Sequence, residues 1–461
     1  MKRLSPEFIC MQLKSFPLKW KQWKTISGIL VFLLLFSCNA EVKPPSSASQ
    51  FRADAMHSGH YTGTPVSTTP VMKWEFSTGG PVHASAALDD QNLYFGSGDS
   101  NFYCLDQMTG TEKWKFKAGG PVYSSAALTD GMVCFGSYDG YFYALNSADG
   151  SLKWSFKAAG EKRFSAPGIH GRLPRDSVFQ DDWDFFLSSP AIDAGAVFFG
   201  TGSGYFYSLD VYTGKENWNY KTGGVIHASP AIALNTVYFG SWDTYMYALD
   251  EMTGKVKWKF KTGIDTTIYN QTGMQGSPVY DDSTLYFGCR DSYFYALDAI
   301  TGKLIWKRYN DMAWVSSCPV LDGDKVIYTT GDSRSLVALN KMDGDSLYRV
   351  HTKGWIFSSP SLSGNRIYFG DLNGFLYGFD TESGNLAWCC QLESSRKDQY
   401  HILESDSVLN YKVVFSQEMK LQEGRTSLEM IFSLGSVNSS PVIKDGNIFV
   451  GSANGKFYAF H

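Results

Sequence analysis

Along this chain of 461 residues a tryptophan stands thirty residues after a small residue, again and again. Ala84 to Trp114, Ser124 to Trp154, Ser188 to Trp218, Ala228 to Trp258, Gly276 to Trp306 and Ser358 to Trp388 keep that spacing, and Ser316 to Tyr348 is a close variant. Self-similarity at about forty residues per unit is the mark of a propeller or a stacked array. The eighth unit opens at Ser439 and the chain stops at His461, so its end is missing. Trp74, ten residues before Ala84, is the counterpart of that missing end.

One unit reads Val82 to Ala87, Asn92 to Ser97, Asn101 to Asp106 and Glu112 to Phe116. These four runs are rich in aromatic and β-branched residues and are separated by Gly, Asp and Ser, which predicts four short strands joined by tight turns. Asp-x-x-Thr-Gly joins the third run to the fourth at Asp106, Asp210, Asp250 and Asp298. Asp bonds its own backbone and Gly supplies positive φ, so these carboxylates read as turn formers rather than ligands or catalysts. The first strand is expected to carry the small residues, because bulky side chains would collide at a common axis. The aromatic share of 16% then fills the space between sheets. A solenoid would need polar terminal caps. A truncated last unit with Met72 to Phe76 waiting at the other end predicts closure, which removes the exposed edge. The expectation is an all-β, eight-bladed β-propeller of four-stranded antiparallel blades, closed by an N-terminal strand that completes the last blade. The repeat tryptophans Trp74, Trp114, Trp154, Trp218, Trp258, Trp306 and Trp388 are its structural markers.

The repeat unit Ala-Leu-Asp-x-x-Thr-Gly-x-x-x-Trp, as in Ala248 to Trp258 and Ala296 to Trp306, resembles the tryptophan-docking repeat of the quinoprotein (PQQ) β-propeller superfamily. Phe51 to Gly59 resembles the lead-in of PQQ-repeat proteins. The resemblance covers residues 51–461 and implies the fold, but a fold hosts many functions. Within the superfamily, one eight-bladed propeller on a lipid anchor looks like the lipoprotein component of the outer-membrane β-barrel assembly machinery. That implies a non-catalytic scaffold with an envelope protein partner. The superfamily also implies two alternatives: a PQQ-dependent oxidoreductase using PQQ with calcium, or a quinone-binding relative. A glycan or small-molecule receptor using the channel mouth is a further reading. Cys389-Cys390 resembles the vicinal pair of the family's alcohol dehydrogenases, but it follows Trp388 and so belongs to an outermost strand, away from the axis.

The N-terminal 37 residues carry six basic residues ahead of the apolar run Gly28 to Phe36, which is too short to span a bilayer and suits a signal peptide. Leu35-Phe36-Ser37-Cys38 resembles a bacterial lipobox, which implies cleavage before Cys38 and lipidation of its thiol. Residues 38–50 then read as a tether between lipid and propeller. The expected location is the bacterial cell envelope, lipid-anchored in the outer membrane and facing the periplasm, as a monomeric subunit. Removing residues 1–37 leaves 35 basic and 44 acidic residues, a formal charge of −9. Such a balance argues against nucleic acid or anionic lipid as the main partner. Cys104, Cys134, Cys289 and Cys318 fall at repeat positions and read as core fillers. His83 and His227 occupy equivalent positions in units one and four, and scattered histidines do not make a structural zinc site.

The departures from the repeat are its insertions, at residues 160–187, 263–275 and 391–436. All follow the Trp of one unit and precede the small residue of the next, which puts them on one face. The first contains Arg163, His170, Arg172, Asp181, Trp183 and Asp184. Long ordered loops in compact domains are usually functional, so these side chains are candidates for partner contact; a self-packing cover over the channel is the equal alternative. Trp242 and Arg290, in turns on the same face, are further candidate anchors. In the last insertion, Val408 to Phe415 and Ser427 to Phe432 alternate and read as an extra hairpin, with a degenerate ninth blade as the alternative.

Overall fold

The computed structural model describes residues 49–416 and 426–461. The proposed signal sequence, Cys38 and the tether up to residue 48 lie outside the described residues. Eight four-stranded antiparallel sheets form the blades of a propeller. Blade 1 consists of Ala87–Leu88, Asn92–Gly96, Asn101–Asp106 and Glu112–Lys117, and blades 2 to 7 repeat it. In blade 8 the strands Val442–Lys444, Asn447–Ser452 and Lys456–Phe460 are completed by Met72–Ser77. That strand runs antiparallel to the carboxyl-terminal one, with Trp74 opposite Ala459 and Phe76 opposite Phe457.

The second and third strands of each blade are buried on both sides, whereas the outermost strands alternate exposed with half-buried positions. Successive blades therefore pack through flat rings. Phe102 stacks on Phe135 at 4.0 Å, Phe206 on Phe239 at 4.0 Å and Phe294 on Tyr328 at 4.1 Å. Phe457 stacks on Phe95 at 4.4 Å, so the same contact closes the ring between blades 8 and 1.

The repeat tryptophans latch each blade to the next. Trp218 Nε1 donates to the Glu251 carbonyl at 2.9 Å, Trp258 to Ala299 at 2.9 Å and Trp306 to Lys341 at 2.9 Å. Trp74, Trp114 and Trp154 do the same to Gln107, Ser147 and Val211. Each accepting carbonyl lies in the Asp-x-x-Thr-Gly turn or its equivalent. The turn glycine lies flat on the indole: a Cβ on Gly254, whose φ is +67°, would stand 2.6 Å from the Trp218 ring. Asp250 Oδ1 meanwhile accepts from the backbone and hydroxyl of Thr253, the expected turn role. Blade 8 has no such turn, and Trp388 donates instead to the Val66 carbonyl of the lead-in at 3.0 Å.

Two features differ from expectation. The small residues precede the innermost strands, which are only two or three residues long, and bond around the axis. Ser440 N donates to Ser85 Oγ, Ser85 N to Ser125 Oγ and Ser125 N to Ser189 Oγ, at 2.9–3.1 Å, and the pattern continues through Ser229 to Ser277. The second difference is residues 391–436, which form short helices at Glu393–Lys397, Tyr411–Val414 and Ser427–Ser433 in place of a strand hairpin. Asn410 caps the second, and Thr426 and Glu429 form a reciprocal capping box on the third. Val414, Met430 and Ile431 are thereby turned together into one apolar cluster.

Gly254→Ala is expected to cost about 1–3 kcal/mol, from the strained φ together with the collision with Trp218. Gly131→Ala, at φ +72° with open space around its Cβ, should cost only the strain of the left-handed backbone, about 1 kcal/mol. Denaturant midpoints of the two variants check the difference.

Candidate functional site

Each innermost strand begins at the face where blades connect, so all three insertions lie on that face, and they touch one another. His170 N donates to the Ile268 carbonyl at 2.8 Å and its Nδ1 meets Asn270 Oδ1 at 2.9 Å. Gln275 Nε2 donates to the Trp183 carbonyl at 2.9 Å. Phe185, Phe357, Met430 and Ile431 share one cluster, with Trp183 and Phe432 packed against it. The insertions form a cap over the axis.

Buried charge fastens this cap. Asp181 and Arg290 are both fully buried, with Oδ2 and Nη1 2.6 Å apart, and His170 Nε2 holds the other Asp181 oxygen at 2.9 Å. The Arg290 guanidinium lies 3.6 Å from the Trp314 ring centre and 4.7 Å from that of Trp242. Burial alone would raise the Asp181 carboxyl, but Arg290 and His170 hold it well below the usual carboxylate range. Phe164 stacks on Trp242 at 4.4 Å. At the two ends of the first insertion, Asp184 Oδ1 meets His227 Nδ1 at 2.6 Å, and Glu161 Oε2 lies 3.6 Å from His227 Nε2, an ionic contact too long for a hydrogen bond. Burial works to neutralise His227, yet Asp184 and Glu161 carry it up to about 9. The equivalent His83, surrounded by Tyr123, Phe185 and Phe432, is pushed by burial down to about 3 and stays neutral.

Asp181, Asp184, Trp242 and Arg290, expected to reach a partner, are buried and bind the cap to the blades. The long polar loop over the axis is held by pairing its charges with the blades below, Asp181 with Arg290 and Asp184 with His227. Arg163, His170 and Trp183 are half-buried, and Arg172 alone of the eight is exposed, paired with Asp182. Sequence reasoning missed Glu161. Its signal lay in the repeat: Asp99, Asp139, Asp243 and Asp291 each accept from a glycine N–H before their blade, and blade 3 has Ser203 in that position. Glu161 takes over, accepting from Gly202 N at 2.5 Å.

The opposite end of the axis is plugged by the lead-in. Ser49 O accepts from Leu128 N, Ala55 O from Ile232 N and Gly59 O from Leu362 N. The buried Arg52 donates to the Pro319 carbonyl at 3.0 Å. A Cβ on Gly59 would fall 2.0 Å from Arg52 Nη2, so only glycine fits there. Between Phe51 below and Phe186 above, the serine ring encloses a cavity of about 50 Å³.

These features together define a PQQ-repeat β-propeller. The family model described as outer membrane protein assembly factor BamB matches residues 61–182, 176–313 and 290–461, and the chain belongs to that family. Comparison with curated proteins finds no match. Among solved structures, BamB from Moraxella catarrhalis is similar at 18% identity and TM-score 0.60, covering 86% of this chain and 98% of that one. The quinohemoprotein alcohol dehydrogenase of Comamonas testosteroni is similar at 14% identity and TM-score 0.64, covering 90% and 80%. A europium-containing methanol dehydrogenase is similar at 13% identity and TM-score 0.63, covering 91% and 98%. At these identities the likeness shows the fold alone.

The axial residues do not fit PQQ. Sites for ligands of that size occupy several hundred Å³, whereas the cavity here is about 50 Å³ and walled mainly by serines and aromatic plugs. Cys389 is exposed on the outermost strand of blade 7, Cys390 is beside it, and both are free thiols.

Arg290→Met should destabilise the protein by about 3–5 kcal/mol, because it strands a buried Asp181 carboxylate. Adding Asp181→Asn should restore part of the loss, seen in thermal melts. Because the His227 value lies above that of an unfolded chain, its stabilisation, about 3 kcal/mol, is complete below pH ~6.5 and fades as pH rises towards 9. A His227→Phe variant should lose that dependence over the same window.

Proposed function

We propose that this protein is a non-catalytic, lipid-anchored propeller that serves as a binding scaffold in the bacterial envelope, beside the machinery that assembles outer-membrane proteins. The single observation that carries the scaffold reading is the axis closed at both ends, which leaves the outer surfaces as the working parts. Family membership supplies the assembly context. Envelope location and anchoring rest on the signal-like N-terminus and Cys38.

The capped face is the surface for the protein partner. Its first insertion carries a small hairpin, Ser165–Pro167 with Val178–Gln180, whose exposed side chains include Arg172, Leu173 and Val178. Leu173 is 75% exposed and Val178 65%, on a loop whose base is locked by ion pairs. A rigid base presenting apolar and arginine side chains suits recognition, because little ordering entropy is lost on binding.

The test is co-purification from detergent-solubilised membranes. Leu173→Asp combined with Arg172→Glu should reduce recovery of a barrel-assembly protein roughly tenfold, with an unchanged melting temperature. Undiminished recovery would remove the hairpin from the interface, and absence of any such protein from the parent sample would defeat the assembly reading.

A further inference from the structure

The face opposite the cap carries a crown of exposed apolar turn tips. The third-to-fourth-strand turns point from this plain face, and the second residue after the turn Asp or Asn stands at each tip. In blades 1, 3, 4, 5 and 6 that residue is Met108, Tyr212, Met252, Ile300 or Met342, exposed at 58%, 55%, 75%, 63% and 80%. Val71, 72% exposed, extends the series at blade 8. The turn itself needs only its Asp and Gly; the tip side chain is free to be polar, as Glu382 is in blade 7. Soluble surfaces scatter single apolar residues, but a repeated set at equivalent positions of one face forms a planar arrangement, and such sets mark an interaction surface.

We infer that this plain face rests on a lipid bilayer surface, with the tips dipping into the headgroup region. The inference builds on the anchoring reading above and adds an orientation to it. The chain enters the propeller on this same face, at its centre: Ser49 O accepts from Leu128 N at 2.7 Å. Ten residues lie between Cys38 and Ser49, so the span of eleven Cα steps reaches at most roughly 40 Å at full extension. A lipid at Cys38 therefore leashes the centre of the crown to the membrane and leaves the cap facing away from it, open to the protein partner. Methionine and isoleucine supply apolar contact, and the exposed Tyr212 ring joins them while its hydroxyl donates to Asp130 Oδ2 at 2.6 Å. The turn carboxylates Asp106, Asp210, Asp250 and Asp298 lie beside the tips, so the surface selected is zwitterionic rather than anionic.

The experiment uses the mature chain with Cys38→Ser, so that the readout does not depend on acylation. The chain is co-sedimented with phosphatidylethanolamine–phosphatidylcholine vesicles. The parent should sediment with them. The triple variant Met252→Asp, Ile300→Asp, Met342→Asp should lose roughly tenfold or more of that binding, with unchanged melting behaviour, while Leu173→Asp on the cap should have no effect. Replacing part of the lipid with phosphatidylglycerol should weaken binding. Equal sedimentation of parent and triple variant, no sedimentation of either, or binding that appears only with phosphatidylglycerol would each overturn the inference. A triple variant that keeps vesicle binding but loses a co-purified protein would make the crown a protein contact and overturn it equally. Mass spectrometry of Cys38 in protein recovered from membranes tests the anchoring reading separately.

Discussion

The contact on which the architecture depends is the indole of one blade lying flat on the turn glycine of the next while its Nε1–H donates to a carbonyl in that same turn. It couples a requirement for positive φ with a requirement for zero side-chain volume at one position. It also couples stacking area with a directed hydrogen bond in the Trp residue. Neither half tolerates a shift in register, because a one-residue slip would present a side chain to the ring and carry the carbonyl out of reach. Repeated around a circle, the contact sets the distance between neighbouring blades, and the flat phenylalanine stacks fill the space it defines.

Because the ring is built from equal contacts, its one irregular joint is informative. Blade 8 is assembled from both ends of the propeller and has no connecting turn to receive Trp388. The lead-in supplies the missing acceptor at Val66, after crossing the axis and bonding to the innermost strands of blades 2, 4 and 7. A segment that reads as an appendage thus closes the joint and plugs the channel. Its left-handed residues Arg52, Ala53 and His57 are conformations of the sort that persist only when the surroundings over-determine them, here by bonds to several blades at once.

The repeat was legible in the sequence because its spacing, the turn glycines and the split last blade are all local patterns with a fixed period. The cap was legible only in its position. Whether Asp181 and Arg290 meet water or each other depends on how a loop of 28 residues folds back, and residue types alone do not carry that information. The helices of residues 391–436 were misread because Val408 to Phe415 alternates over a stretch too short to separate the two periods. The decisive signal was the capping sequence Thr426-Ser427-Leu428-Glu429, which specifies a helix start irrespective of the pattern after it.

The two ends of the axis are sealed by different physics, and this divides the molecule. The lead-in plug is held mainly by backbone bonds to the innermost strands, joined by the buried Arg52 on the Pro319 carbonyl and His57 Nδ1 against the Pro278 carbonyl. The cap is held by a buried cation at His227 and a buried Arg290–Asp181 pair, interactions that are costly to bury and costlier to leave half made. Buried ion pairs are thus gathered on the face with the projecting hairpin, while the plain face is a repeated frame of turns. A propeller whose centre has been filled in this way no longer offers the enclosed axial space in which a large flat cofactor could bind. Its selectable variation then lies where strands and connections end, in the single cap on one face and in the repeated turn tips on the other.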